Sequence, residues 1–68
     1  MSTADEIAAF EKSVKARDLR IADVLREAGI DRSMWTRWKS GKTTPRLDNW
    51  RAMERAADVL AASAGAAA

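Results

Sequence analysis

The 68-residue chain has no cysteine, no histidine and no tyrosine. Without cysteine there is no disulfide framework, no thiolate nucleophile and no thiolate metal site. Without histidine the chain lacks the commonest metal ligand and the usual acid–base group near neutral pH. No metal and no cofactor are expected. An enzyme would have to rely on carboxylates, lysines or hydroxyls, and no pair of these has a spacing that suggests a catalytic site. The chain therefore reads as a non-enzyme. It also lacks any apolar run of about 18 residues, so no membrane span is expected. The opening Met1-Ser2-Thr3-Ala4-Asp5-Glu6 has neither the basic region nor the apolar stretch of a signal peptide. A cytoplasmic location is the expectation.

Bulky apolar side chains are scarce as well. Hydrophobic residues make up 47% of the chain, but 15 of its 68 residues are alanine, which adds little core volume. Chains of this size bury only about 60% of the surface their unfolded form exposes. The composition allows one compact helical domain, and the three tryptophans must supply much of its core.

The net charge of +2 hides an uneven distribution. Residues 1–31 carry five basic and seven acidic side chains, net −2. Residues 32–46 carry Arg32, Arg37, Lys39, Lys42 and Arg46 and no acid, net +5. Residues 47–68 carry two basic and three acidic groups, net −1. A short segment with all the excess positive charge attracts a polyanion, because each neutralised phosphate releases counterions.

The apolar periodicity predicts four helices. Over residues 3–16, Ile7, Phe10 and Val14 recur at three- and four-residue steps, and Thr3 followed by Glu6 has the pattern of a capping box. A second helix is expected over 19–28, with Asp18 as its N-cap and with Leu19, Ala22, Leu25 and Ala28 on one face. Gly29 supplies a left-handed exit, and Ile30 tucks back toward the core. Asp31 caps a third helix over about 32–40, in which Ile30, Met34, Trp35 and Trp38 point one way. Arg32, Ser33, Thr36, Arg37 and Lys39 occupy its other faces. Trp35 and Trp38 could anchor the core or stack on bases, and their spacing from Ile30 and Met34 favours the core. Lys42-Thr43-Thr44-Pro45 forms a loop. A fourth helix is expected from about 46 or 47 to 61, with Leu47, Trp50, Met53, Ala57 and Leu60 as its stripe. The expected core is thus Ile7, Phe10, Val14, Leu25, Ile30, Trp35, Trp38, Leu47, Trp50, Met53 and Leu60. Residues 1–62 form the domain, and 63–68 form a flexible alanine-rich tail.

The gap of about three residues between the second and third helices, with a glycine at its start, is the spacing of a helix-turn-helix. The stretch Ala22–Leu60 resembles the small domain of phage repressors and Cro proteins, the Cro-type (xenobiotic-response-element-like) family. The resemblance is densest over Gly29-Ile30-Asp31-Arg32-Ser33-Met34-Trp35-Thr36-Arg37-Trp38-Lys39-Ser40-Gly41-Lys42, followed by Pro45. It covers the turn glycine, the polar cap, the apolar pair at Trp35 and Trp38, and the glycine and proline after the helix. Three positions depart from the pattern. Leu25 stands where a small alanine is usual, Arg20-Ile21 where a glutamine or threonine often holds a phosphate, and Lys39 where an acidic residue is common.

The resemblance implies an all-α, lambda-repressor-like bundle of four or five helices that binds double-stranded DNA through residues 32–40 in the major groove. It implies a prokaryotic or phage transcriptional regulator, a repressor, nucleoid-associated and dimeric on a palindromic operator. No small-molecule ligand is expected. Carried over by position, Arg32, Ser33, Thr36 and Arg37 are the base-reading candidates. Their chemistry agrees, since arginine can pair with guanine O6 and N7, and serine and threonine serve as donor or acceptor. Lys39, Ser40, Lys42, Thr43 and Thr44 are phosphate candidates, with Arg20 and Arg46 as additions. Arg26, Arg51 and Arg55 are assigned to solvated faces or to pairs with acids. Two other readings stay open: a helical protein–protein interaction module, and a DNA-packaging or architectural protein of low specificity.

Overall fold

The computed structural model describes residues 3–67. It contains four helices: α1, Thr3–Ala16; α2, Ile21–Ala28; α3, Arg32–Lys39; and α4, Leu47–Ala67. Among the described residues there is no strand. The helices pack as a compact all-α bundle in which α4 lies mainly along α2, and α1 packs on α3 and on α2. Among the described residues no helix is long and apolar enough to cross a membrane.

The core draws on all four helices. Ile7 and Val14 come from α1, Val24 and Leu25 from α2, Trp35 and Trp38 from α3, and Met53, Ala56 and Ala57 from α4, with Ile30 between α2 and α3. Phe10, Leu19, Ile21, Ala28, Met34, Trp50 and Leu60 pack around it, partly buried. Alanine has a role that its size conceals. Ala56 and Ala57 are buried where α4 meets the other helices, and small side chains allow backbones to come close.

Aromatic rings tie three helices together. Phe10 of α1 stands between Trp50 of α4, with ring centroids 5.5 Å apart, and Trp35 of α3, at 6.4 Å. Trp35 in turn meets Trp38 edge-on at 6.4 Å. Tilted and edge-to-face arrangements of this kind favour the ring quadrupoles.

The three interhelical turns open with one hydrogen-bond pattern. After α1, the Asp18 amide donates to the Lys15 carbonyl and the Leu19 amide to the Val14 carbonyl. After α2, Gly29 donates to Arg26 and Ile30 to Leu25. After α3, Gly41 donates to Trp38 and Lys42 to Arg37. Each pair has the form of a Schellman motif, which satisfies the last carbonyls of a helix and needs one left-handed residue. Those residues are Asp18, Gly29 and Gly41, with φ of 59°, 73° and 80°.

Several expectations are corrected by these contacts. Asp18 does not cap α2: it is the left-handed residue that ends α1, and α2 starts at Ile21 with Arg20 in the flanking position. The inner face of α2 consequently centres on Val24 and Leu25, while Ala22 is exposed. Thr3 is already helical, so it is not the residue flanking α1. Leu47, placed in the core from its spacing, is 64% exposed. It opens α4 and lies about 120° around the helix from Met53, outside the buried arc. The other ten expected core residues are buried or packed against the core. Helix α4 continues to Ala67, past the expected end near 61, and the rest of the expected tail, Ala68, lies outside the described residues.

Candidate nucleic-acid interface

The turn that aims α3 is built from three residues. Gly29 takes the left-handed conformation, and a Cβ added there would meet nothing within 4 Å. Its requirement is therefore one of backbone angle alone. Ile30 donates its amide to Leu25 at 2.9 Å and buries its side chain, which anchors the turn to the core. Asp31 follows in an extended conformation at the N-cap position, as expected. Its carboxylate makes no cap bond to the helix. It accepts instead from the Ser33 hydroxyl at 3.0 Å.

Helix α3 divides cleanly into two sides. Trp35 and Trp38 are only 4% and 3% exposed. The opposite side carries Arg32, Ser33, Thr36, Arg37 and Ser40, all exposed. At about 100° per residue these five fall within an arc of roughly 140°. The four base-reading candidates thus form one outward ridge. Its hydroxyls are oriented by the protein itself: Thr36 Oγ1 donates to the Arg32 carbonyl at 3.1 Å, and Ser40 Oγ to the Arg37 carbonyl at 3.0 Å. With their protons engaged, Ser33, Thr36 and Ser40 keep their oxygen lone pairs available as acceptors.

The basic groups differ in availability. Among the described residues, ion pairs join Arg17 to Asp58, Arg26 to Asp23 and Lys39 to Glu11. None involves Arg20, Arg32, Arg37, Lys42 or Arg46, and all five are exposed. Lys39 sits differently from the other phosphate candidates. Its ammonium lies 3.2 Å from Glu11 Oε1 and 3.3 Å from Oε2, bridging α3 to α1. Nothing local in the sequence links these two residues, which stand 28 positions apart.

The loop after α3 carries Lys42, Thr43, Thr44 and Arg46 on the surface. The Lys42 amide points inward, however, to the Arg37 carbonyl at 3.0 Å. The Lys42 backbone N–H is therefore already engaged, and its side chain is the part left to meet an anion.

Beside the ridge lies an open groove of about 460 Å³. Arg32, Thr36 and Ser40 form its α3 wall, Ile21 and Ala22 its α2 wall, and the Glu11–Lys39 pair closes one side. Among the described residues no cluster of carboxylates is placed to hold a metal ion. No family model, curated protein or solved structure matches the chain.

Proposed function

We propose that this chain is a sequence-specific, double-stranded DNA-binding regulator of the helix-turn-helix type, acting as a repressor. The observation that carries the reading is the two-sidedness of α3. Two indoles lock one side into the core, and Arg32, Ser33, Thr36 and Arg37 stand exposed along the other. A helix with its side chains is about 10–12 Å across, which fits the major groove, about 12 Å wide.

The chemistry supports a division of labour. Arg32 and Arg37, in no ion pair among the described residues, offer guanidinium groups for guanine O6 and N7. Ser33 and Thr36, with hydroxyl protons engaged, offer acceptors that suit the exocyclic amines of cytosine or adenine. Lys42, Thr43, Thr44 and Arg46 in the loop, with Arg20 at the start of α2, would hold phosphates and set the register. A single domain of this size makes a small interface, so two copies on a palindrome would supply strong specificity.

Selection from random duplexes at about 0.15 M salt tests the reading. The expected result is an enriched palindrome with half-site centres one turn, about 34–36 Å, apart. Binding without enrichment would point to an architectural protein of low specificity. No binding would remove DNA as the partner.

A further inference from the structure

We infer that Glu11 restrains DNA binding by holding the Lys39 ammonium off the phosphate backbone. The inference rests on the DNA-binding reading above and adds to it a residue outside the basic segment. Lys39 belongs to the cluster at 32–46 that carries the excess positive charge, and it borders the groove beside the recognition ridge. By position it would be a phosphate ligand. Both oxygens of Glu11 instead lie within 3.3 Å of its Nζ.

The two partners are not equally free. Glu11 is 21% exposed and Lys39 48%. Glu11 projects from the middle of α1, whose neighbours Ile7, Phe10 and Val14 are packed into the bundle. The carboxylate is therefore held in place, and the longer lysine comes to it. To reach a phosphate, Lys39 would have to leave two charge-assisted contacts, while Glu11 would remain as an uncompensated negative charge facing the polyanion. Both effects oppose use of Lys39. They act equally on every sequence, because a phosphate contact carries no base information. The pair thus lowers affinity for all duplexes alike and leaves base discrimination to the ridge, with the ratio between specific and non-specific binding unchanged.

A double-mutant cycle on binding to a random duplex, titrated at several salt concentrations, tests this. The variants are Glu11→Gln, Lys39→Gln and the pair together, with Glu54→Gln as a control. Glu54 is exposed on α4, so its variant makes the same charge change away from the groove. Circular dichroism establishes that each variant is folded. Lys39→Gln alone should leave the salt slope nearly unchanged. Glu11→Gln should tighten binding several-fold and steepen the slope by about 0.9, the value for one added phosphate contact. That steepening should vanish in the double variant and be absent in Glu54→Gln.

Three outcomes overturn the inference. A slope already shallower by about 0.9 in Lys39→Gln would mean that Lys39 reaches phosphate in the unaltered protein. Equal steepening by Glu11→Gln with or without Lys39 would mean that only net charge matters. Glu11→Gln that matches the unaltered protein would mean that the pair is purely structural. In each of these cases the unaltered chain still binds duplex, so the DNA-binding reading survives. If no variant binds at any salt concentration, both fall together.

Discussion

The Ile30 amide donates to the Leu25 carbonyl at 2.9 Å, and the Ile30 side chain is buried in the same core as Leu25. One residue thus closes the end of α2 and sets the direction in which α3 leaves. The bond forms only because Gly29, between them in the turn, adopts a φ of 73°. Every placement on α3 follows from that exit, including which side of the helix meets water.

Gly29→Ala should therefore destabilise the fold by about 1 kcal/mol through backbone conformation alone, since the new methyl has open space around it. Asp18 occupies the equivalent left-handed position after α1, and Asp18→Gly should stabilise by roughly 0.5 kcal/mol, reduced by the greater freedom of glycine in the unfolded chain. Urea unfolding of both variants checks the pair. Changes of the same sign would contradict the shared motif.

Trp35 is buried against Phe10 and Trp38, at the centre of the aromatic chain that links α1, α3 and α4. Trp35→Ala should cost about 3–5 kcal/mol, most of the stability of a small domain. Thermal melting followed by circular dichroism would show an early, broad transition or none. A loss below about 1 kcal/mol would mean that the indole is not a core element.

Leu47 makes the opposite case. It is large and apolar, yet exposed at the start of α4. Leu47→Gln should change stability by less than about 0.5 kcal/mol. A larger loss in chemical denaturation would show that Leu47 is covered in solution.

On the DNA-binding reading, Arg37→Ala and Lys42→Ala should fail differently. Arg37→Ala should cost about 1–3 kcal/mol on a matched site and relax preference at one base pair. Lys42→Ala should weaken matched and scrambled sites alike and lower the salt slope by about 0.9. Titration of both duplexes at two salt concentrations separates these patterns. Equal losses on both sites for Arg37→Ala would assign it to phosphate.

Much of the fold was legible because its signals are short-range. The three- and four-residue spacing of Ile7, Phe10 and Val14 names a helix face without reference to any other segment. Gly29 and Gly41 mark turns because few other residues tolerate their backbone angles. The pairing of Trp35 with Trp38, against an all-polar opposite side, announces which way α3 faces. The charge of residues 32–46 is likewise a property of composition alone.

Asp18 shows where such signals become ambiguous. An aspartate between two helices can cap the front of one or end the back of the other, and the competition is resolved by where Leu19 finds apolar contact. Leu47 and Ala56 show the same dependence in packing, one apolar but left outside, the other small but enclosed, because burial belongs to the space between helices rather than to the residue. Lys39 depends most on folding. Its charge is plain from composition, but the partner that occupies it arrives from α1, 28 residues away, when the bundle closes. Local backbone preference and helical period act over a few residues and survive in any one-dimensional reading. Ion pairing and enclosure require two distant surfaces to meet, so they come into being only with the assembled bundle.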